Sequence, residues 1–303
     1  MITEHKPVML NEVLRSLAIQ EDARVLDMTY GRGGHANAML GLLGEQGRLV
    51  VVDCDASAIE HAEQHLSDDE RITIHHEQHD AVVSKLIDEQ FQFDSVLMDL
   101  GVSSPQLDDP TRGFSFRFDG PLDMRMDQRQ PITAASWINN TDEQTMADCI
   151  WRYGDEKRSR KIAEAICNNR PVDSTQQLKN LIHGVKPRRA GQKIDPATKT
   201  FQAIRICINR ELIQLEKTLP VILQLLRVGG RFAVITFQGH EQTILKNFIK
   251  RHKTPKRNKY QEISPPADHA ILTVLERIKP SNDERLNNNR ARSAQLTVME
   301  RVQ

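Results

Sequence analysis

The sequence predicts an α/β protein: an open, Rossmann-like sheet of parallel strands interrupted by an inserted all-helical domain. Three observations predict it. Residues 25–35 read VLDMTYGRGGH. A short aliphatic run ends in Asp27, the chain turns through Gly31, Gly33 and Gly34, and an apolar-periodic segment follows at Ala36, Met39, Leu40 and Leu43. That is a strand, a glycine loop and a helix. Further short aliphatic runs alternate with helical periods up to residue 102. From Ser103 to Arg210 helical periods follow one another without strands, and the strand pattern returns near residue 225. The sheet domain is therefore expected at 1–102 and 211–303, and the helical insertion at 103–210.

The chain has 303 residues, 39% hydrophobic and 27% charged, with a formal net charge of zero. This length carries a large core and either one interrupted domain or two. No run is long enough to span a membrane, and no secretory apolar core opens the chain. Cys54, Cys149, Cys167 and Cys207 lie far apart with no C-x-x-C pair, which argues for reduced thiols in a cytoplasmic protein. Neutral net charge decides nothing about nucleic acid, because a basic face can be offset elsewhere.

In chain order, Leu10, Val13, Leu14 and Leu17 fall on one helical face after Pro7, and this helix is expected to cover an edge of the sheet. The glycine loop has the spacing G-x-G-G with an acid four residues before Gly31. A dinucleotide fingerprint needs G-x-G-x-x-G to seat a pyrophosphate on a helix N-terminus. An acid at the strand end repels a diphosphate but suits the ammonium of an amino-acid-bearing cofactor such as S-adenosylmethionine. The second strand, 48–53, ends in Asp53, placed to accept hydrogen bonds from ribose hydroxyls. Asp55 is expected to cap the next helix. A third strand at 71–76 precedes His79, which is positioned to flank an adenine. The neighbouring His75 and His76 point to opposite faces, which argues against a metal cluster. The fourth strand, 93–100, ends at Asp99, so Asp27, Asp53 and Asp99 close three strands in phase, where ligands of open α/β sheets gather.

Residues 111–127 (TRGFSFRFDGPLDMRMD) are expected to form an ordered loop over the active site, too polar to be core. Ile162, Ala165, Ile166 and Asn169 are expected on one helical face, and Leu178, Leu181 and Ile182 on the next. The basic segment 186–193, with Arg188 and Arg189, is either a solvated loop or a contact for a phosphate backbone. Phe201, Ile204, Ile208, Leu212, Leu215 and Leu219 predict one long helix back into the sheet domain. A Gly-Gly turn and a fifth strand follow at 225–237, then a helix at 242–248. The densest basic patch, 250–259, includes Lys256 and Arg257. Residues 270–276 predict a last strand and 287–298 a polar tail. The Ser264-Pro265-Pro266 string is read as a chain break before that strand.

Taken together, the strings resemble the bacterial small-subunit (16S) ribosomal RNA cytosine-N4 methyltransferase family. They are His5-Lys6-Pro7-Val8-Met9, the segment 27–35, DLGVSSPQLD at 99–108, Arg112-Gly113-Phe114-Ser115-Phe116 and Leu122-Asp123-Met124-Arg125-Met126. Tyr153-Gly154-Asp155-Glu156, Pro196-Ala197-Thr198, the segment 201–212, the segment 229–237 and Arg290-Ala291-Arg292-Ser293-Ala294 continue the match. The resemblance implies a class I S-adenosylmethionine-dependent methyltransferase sheet with a helical substrate-recognition insertion. It places cofactor contacts at Gly33, Gly34, His35, Asp53, Asp99 and Gln106. His79 stands where most members carry an aromatic. Ala36 replaces the serine of G-G-H-S, Asp195 replaces a histidine, and Gln238-Gly239-His240-Glu241-Gln242 replaces H-S-L-E-D.

The activity implied is methyl transfer to a cytosine N4 amine in the decoding region, on 16S rRNA within the small ribosomal subunit, by a monomer or homodimer. That amine is a weak nucleophile, so alignment and nearby oxygens must carry the reaction, and Asp99 with the chain through Ser103 is best placed to supply them. Arg112, Phe114 and Phe116 are expected at the base entrance, and Asp123, Arg125 and Asn209 either hold cytidine or form an internal network. The target base must be unpaired or flipped. Methyl transfer itself calls for no metal. The alternatives are a non-catalytic, cofactor-binding assembly factor, or a methyltransferase for another RNA or a small molecule. A nicotinamide oxidoreductase is disfavoured by the glycine spacing.

Overall fold

A computed structural model describes residues 7–192, 194–253 and 271–303. His5, Lys193, Lys256, Arg257 and the Ser264-Pro265-Pro266 string lie outside the described residues. The chain divides into two compact units, Met1–Gly101 with Leu212–Gln303, and Val102–Glu211.

The first unit is a three-layer α/β/α structure. Its strands are β1 (Arg24–Asp27), β2 (Arg48–Asp53), β3 (Ile72–His76), β4 (Phe93–Asp99), β5 (Leu226–Thr236), β6 (Leu272–Ile278) and β7 (Gln295–Arg301). They form one sheet in the order β3-β2-β1-β4-β5-β7-β6, parallel except for β7, which runs antiparallel to both β5 and β6. Side chains alternate between two apolar layers. Leu26, Val50, Val52, Val96 and Met98 face α4 (His79–Asp88), α11 (Glu211–Leu225) and α12 (Gly239–His252). Val25, Leu49, Val51 and Leu97 face α1 (Leu10–Leu17), α2 (Gly34–Leu40) and α3 (Ala56–Leu66). The chain moves outward from β1 to β3, then returns to the other side of β1 for β4. The topological switch point therefore lies at β1, flanked by β2 and β4.

The second unit carries α5 (Ser104–Asp108), α6 (Ala134–Asn140), α7 (Glu143–Gly154), α8 (Ser159–Cys167), α9 (Thr175–Val185) and α10 (Thr198–Asn209) around its own core. A last short helix, α13 (Asn282–Asn287), precedes β7 in the first unit.

Several expectations are corrected. The helix α1 lies on a face of the sheet, against β5 and β7 rather than over an edge, with Val13 and Leu17 buried. Residues 287–298 are not a polar tail: the chain enters β7, whose Leu296 and Val298 are fully buried between β5 and β6. Residues 201–219 form two helices, because Arg210 takes a left-handed conformation (φ 52°) at the return between the units. On α8 the buried face is Ile162, Ala163 and Ile166, with Asn169 beyond the helix and exposed. The segment 111–127 contributes core: Phe114, Leu122 and Met124 are buried in the helical unit.

Candidate active site

Three carboxylates close three adjacent strands. Asp27 ends β1, Asp53 ends β2 and Asp99 ends β4. Each lies two residues beyond a side chain of the same layer (Val25, Val51 and Leu97), so the pleat sends all three toward the face that α1, α2 and α3 cover. The loop after β1 ties these ends together. The Thr29 amide donates to Asp27 Oδ1 (3.0 Å), and the Thr29 hydroxyl accepts from the Asp99 amide (2.7 Å). The Gly31 amide donates to Asp53 Oδ2 (2.9 Å), while the Asp55 amide holds Oδ1 (2.9 Å). Asp55 itself caps α3, accepting from the Ser57 amide.

The glycines after Asp27 have their own packing reasons. Gly33 is left-handed (φ +72°), and a Cβ there would lie 2.7 Å from the Tyr30 hydroxyl. A Cβ on Gly34 would lie 2.3 Å from Pro7 Cγ. The loop is thus locked between Tyr30 and the segment before α1, which fixes the start of α2 and with it His35.

Electrostatics mark this edge as built for a cation. Burial pushes the Asp27 carboxyl up to about 7, with repulsion from Asp53 adding and the Thr29 hydrogen bonds opposing. Burial takes Asp53 to about 6 against the pull of the Asp55 and Gly31 amides. Asp99 rises to about 8, from burial first and then from the charges of Asp27 and Glu241. Asp27 Oδ2 and Asp99 Oδ1 are buried and accept no hydrogen bond from a described residue. His35 Nε2 lies 3.7 Å from Asp99 Oδ2. Such clustered acids are costly to ionise without a positive partner. An amino-acid ammonium fits the open oxygens of Asp27 and Asp99. Asp53, with both oxygens already oriented by amides, retains lone pairs for ribose hydroxyls. The donor set therefore fits S-adenosylmethionine.

His79 begins α4. It hydrogen-bonds the Met28 backbone just past β1, and burial lowers its pKa, so it presents a neutral ring beside the glycine loop. Glu241 is the member that sequence reasoning missed. It is buried near the start of α12, and its carboxylate accepts from the Phe237 (2.7 Å) and Gln238 (3.0 Å) amides. The signal available was the spacing Gln238-x-x-Glu241, a capping box directly after a strand.

The remaining expected site residues lie in the helical unit. Ser103 caps α5, and the buried Gln106 returns its side-chain oxygen to the Ser103 amide (2.9 Å). Arg112 is buried, with its guanidinium donating to the Arg125 and Met126 carbonyls and stacked 5.7 Å from the Phe114 ring centroid. Asp123 and Arg125 form a two-pronged ion pair at 2.7–2.8 Å. Asn209 bridges the Met126 amide and the Met124 carbonyl, both at 2.7 Å. These contacts hold residues 111–127 in shape within the helical unit. Phe116 packs edge-on against Phe201, and Phe118 is the exposed ring of this segment. Arg188 and Arg189 are exposed after α9. Asp195, where the resembled family carries histidine, pairs with His183 Nε2 at 2.7 Å.

The sequence profile described as the MraW methylase family matches residues 2–302. The Xylella fastidiosa protein named ribosomal RNA small subunit methyltransferase H is 45% identical over 306 residues, covering 98% of this chain and 97% of its own. The Coxiella burnetii protein of the same name is 41% identical over 304 residues, covering 98% and 99%. No helix among the described residues is long and apolar enough to cross a membrane.

Proposed function

The chain belongs to the MraW methylase family, and we propose that it transfers a methyl group from S-adenosylmethionine to the N4 amine of one cytidine in small-subunit ribosomal RNA, in the cytoplasm. The observation that carries this reading is the set of strand-end carboxylates on one sheet face, two of them with buried oxygens that accept nothing from the described residues. When bound, S-adenosylmethionine supplies an electrophilic methyl on a sulfonium. Asp27 and Asp99 hold its ammonium, Asp53 its ribose, and the Gly31–His35 turn the backbone edge. His79 offers a neutral ring for the adenine.

Cytosine N4 shares its lone pair with the ring, so the side chains must lower the barrier by alignment and charge. Asp99 accepts a hydrogen bond from an N4 proton, which returns electron density to the nitrogen and offsets the positive charge that develops on it. Ionised beside the cofactor's ammonium, the Asp99 carboxylate also takes the proton that the methylated amine must lose. Ser103, the first cap after Asp99 along the chain, keeps the connecting backbone ordered for that task. Unlike a ring carbon, an exocyclic amine needs no covalent adduct with a cysteine. Cys54, which follows Asp53, enters the acidic edge through its backbone amide, which donates to the Asp53 carboxylate.

The test is transfer of a labelled methyl to small ribosomal particles from cells that lack this gene, followed by nucleotide-resolution mass spectrometry. The reading requires one N4-methylcytidine. A methyl on a ring carbon, on ribose or on transfer RNA overturns it. Asp99→Ala is expected to abolish turnover in a folded protein.

A further inference from the structure

The helical unit has a second feature, a groove of about 1050 Å³ bounded by α7, the start of α8 and the end of α9 at Val185. It shares no residue with the acidic edge. Its wall carries Trp151, on the last turn of α7 and 54% exposed, an unusual setting for the largest aromatic side chain. Lys157, Arg158, Arg160 and Lys161 line the same groove and are all exposed. Lys157, Arg160 and Lys161 form no ion pair with a described residue; the Arg158 guanidinium donates to the Val185 carbonyl, and its amide to the Glu156 carboxylate. Two acids, Asp148 and Glu164, also line it, leaving cations in excess. Asp148 is already engaged by the Gln144 amide at 2.9 Å.

This cluster does not serve the helix it borders. No acid stands in the first turn of α8, and cations near a helix N-terminus oppose the helix dipole. Such an arrangement is relieved by a polyanion. A flat exposed ring beside a row of cations distinguishes among polyanions: it offers a stacking platform for a base and phosphate contacts for the strand that carries it. In duplex RNA the bases are stacked on each other and unavailable to the ring.

We propose that this groove binds a single-stranded RNA segment, with one unpaired base stacked on Trp151 and its flanking phosphates held by Lys157, Arg160 and Lys161. The inference rests on the ribosomal RNA reading above and assigns to that substrate a second contact, made by residues of the helical unit. It supplies grip on RNA that the acidic edge, repulsive to phosphate, does not.

Trp151 reports directly, because the chain has only one other tryptophan, Trp137. In full-length Trp137→Phe protein, a single-stranded RNA of about 12 nucleotides is expected to quench Trp151 fluorescence, and a duplex of the same length to do so far less. Anisotropy of the labelled strand then compares variants. Trp151→Ala is expected to weaken binding by about 5- to 100-fold, with Trp151→Phe close to the parent. Replacing Lys157, Arg160 and Lys161 by Gln is expected to flatten the dependence of log affinity on log salt by about 2. Far-UV circular dichroism and the thermal transition should match the parent in every variant, which establishes that the helical unit is folded, and calorimetric binding of S-adenosylmethionine should be unchanged. Equal affinity of parent and Trp151→Ala, an unaltered salt slope, or equal quenching by duplex and single strand overturns the proposal, as does preference for an acidic peptide over the RNA. Loss of methyl transfer with quenching intact would overturn the reaction and leave the groove standing.

Discussion

Binding of S-adenosylmethionine should be strongly proton-linked, and lowering the pH from 8 to 6 is the perturbation that shows it. In the ligand-free protein Asp99 titrates at about 8 and Asp27 at about 7. An ammonium beside them favours their ionised forms, so their pKa values fall on binding and protons are released. Affinity must therefore drop as the pH falls through 8 and then through 7. Each unit below a pKa costs about 1.4 kcal/mol to ionise the group, so the two carboxylates together cost about 3.7 kcal/mol more at pH 6 than at pH 8, roughly 500-fold in affinity. Above pH ~8 the ligand's own amino group loses its proton, and the curve turns over. Isothermal titration calorimetry in buffers of different ionisation enthalpy counts the protons directly. Release should approach two per ligand near pH 6, and Asp99→Asn should reduce it by about one. Affinity independent of pH, or net proton uptake, would refute the assignment of the ammonium to these carboxylates.

Three further outcomes follow from the same geometry. Because the folded pKa of Asp99 is raised, the unliganded protein is favoured at low pH and loses that stability as pH rises toward 8. Asp99→Asn should thus raise the melting temperature at pH 8.5, by about 1–3 kcal/mol or several degrees, while abolishing transfer; a lower melting temperature there contradicts the repulsion. Gly34→Ala forces a methyl into Pro7 and should cost about 1–3 kcal/mol in chemical denaturation while also weakening cofactor binding, whereas an unchanged midpoint would mean the loop is not pinned there. Asn209→Ala leaves the Met126 amide and the Met124 carbonyl without their partner, at a cost of about 2–4 kcal/mol, and should expose residues 111–127 to limited proteolysis. Cleavage at the parent rate would show that the bridge does not hold that segment.

The sheet was legible because β1, β2 and β4 are short aliphatic runs ended by an acid, and the pleat then fixes where those acids point. Other features were decided by partners distant in sequence. Polar Gln295 and Thr297 alternate with Leu296 and Val298 in β7, and such a segment reads as a tail until β5 and β6 are seen on either side of it. Arg210 interrupts an unbroken apolar period by adopting a left-handed backbone, which no residue type at that site announces. Residues 111–127 look too polar for a core, yet Arg112, Arg125 and Asn209 satisfy their backbone so that Phe114, Leu122 and Met124 can be buried. Glu241 joined the acidic edge only once the start of α12 was placed close enough for its charge to act on Asp99.

The most direct test of the account is a crystal structure of the full-length protein with S-adenosylhomocysteine. It should place the ligand's amino group within about 3.2 Å of a carboxylate oxygen of Asp27 or Asp99, and its ribose hydroxyls on Asp53. A ligand bound elsewhere, or one that leaves those oxygens untouched, would contradict it.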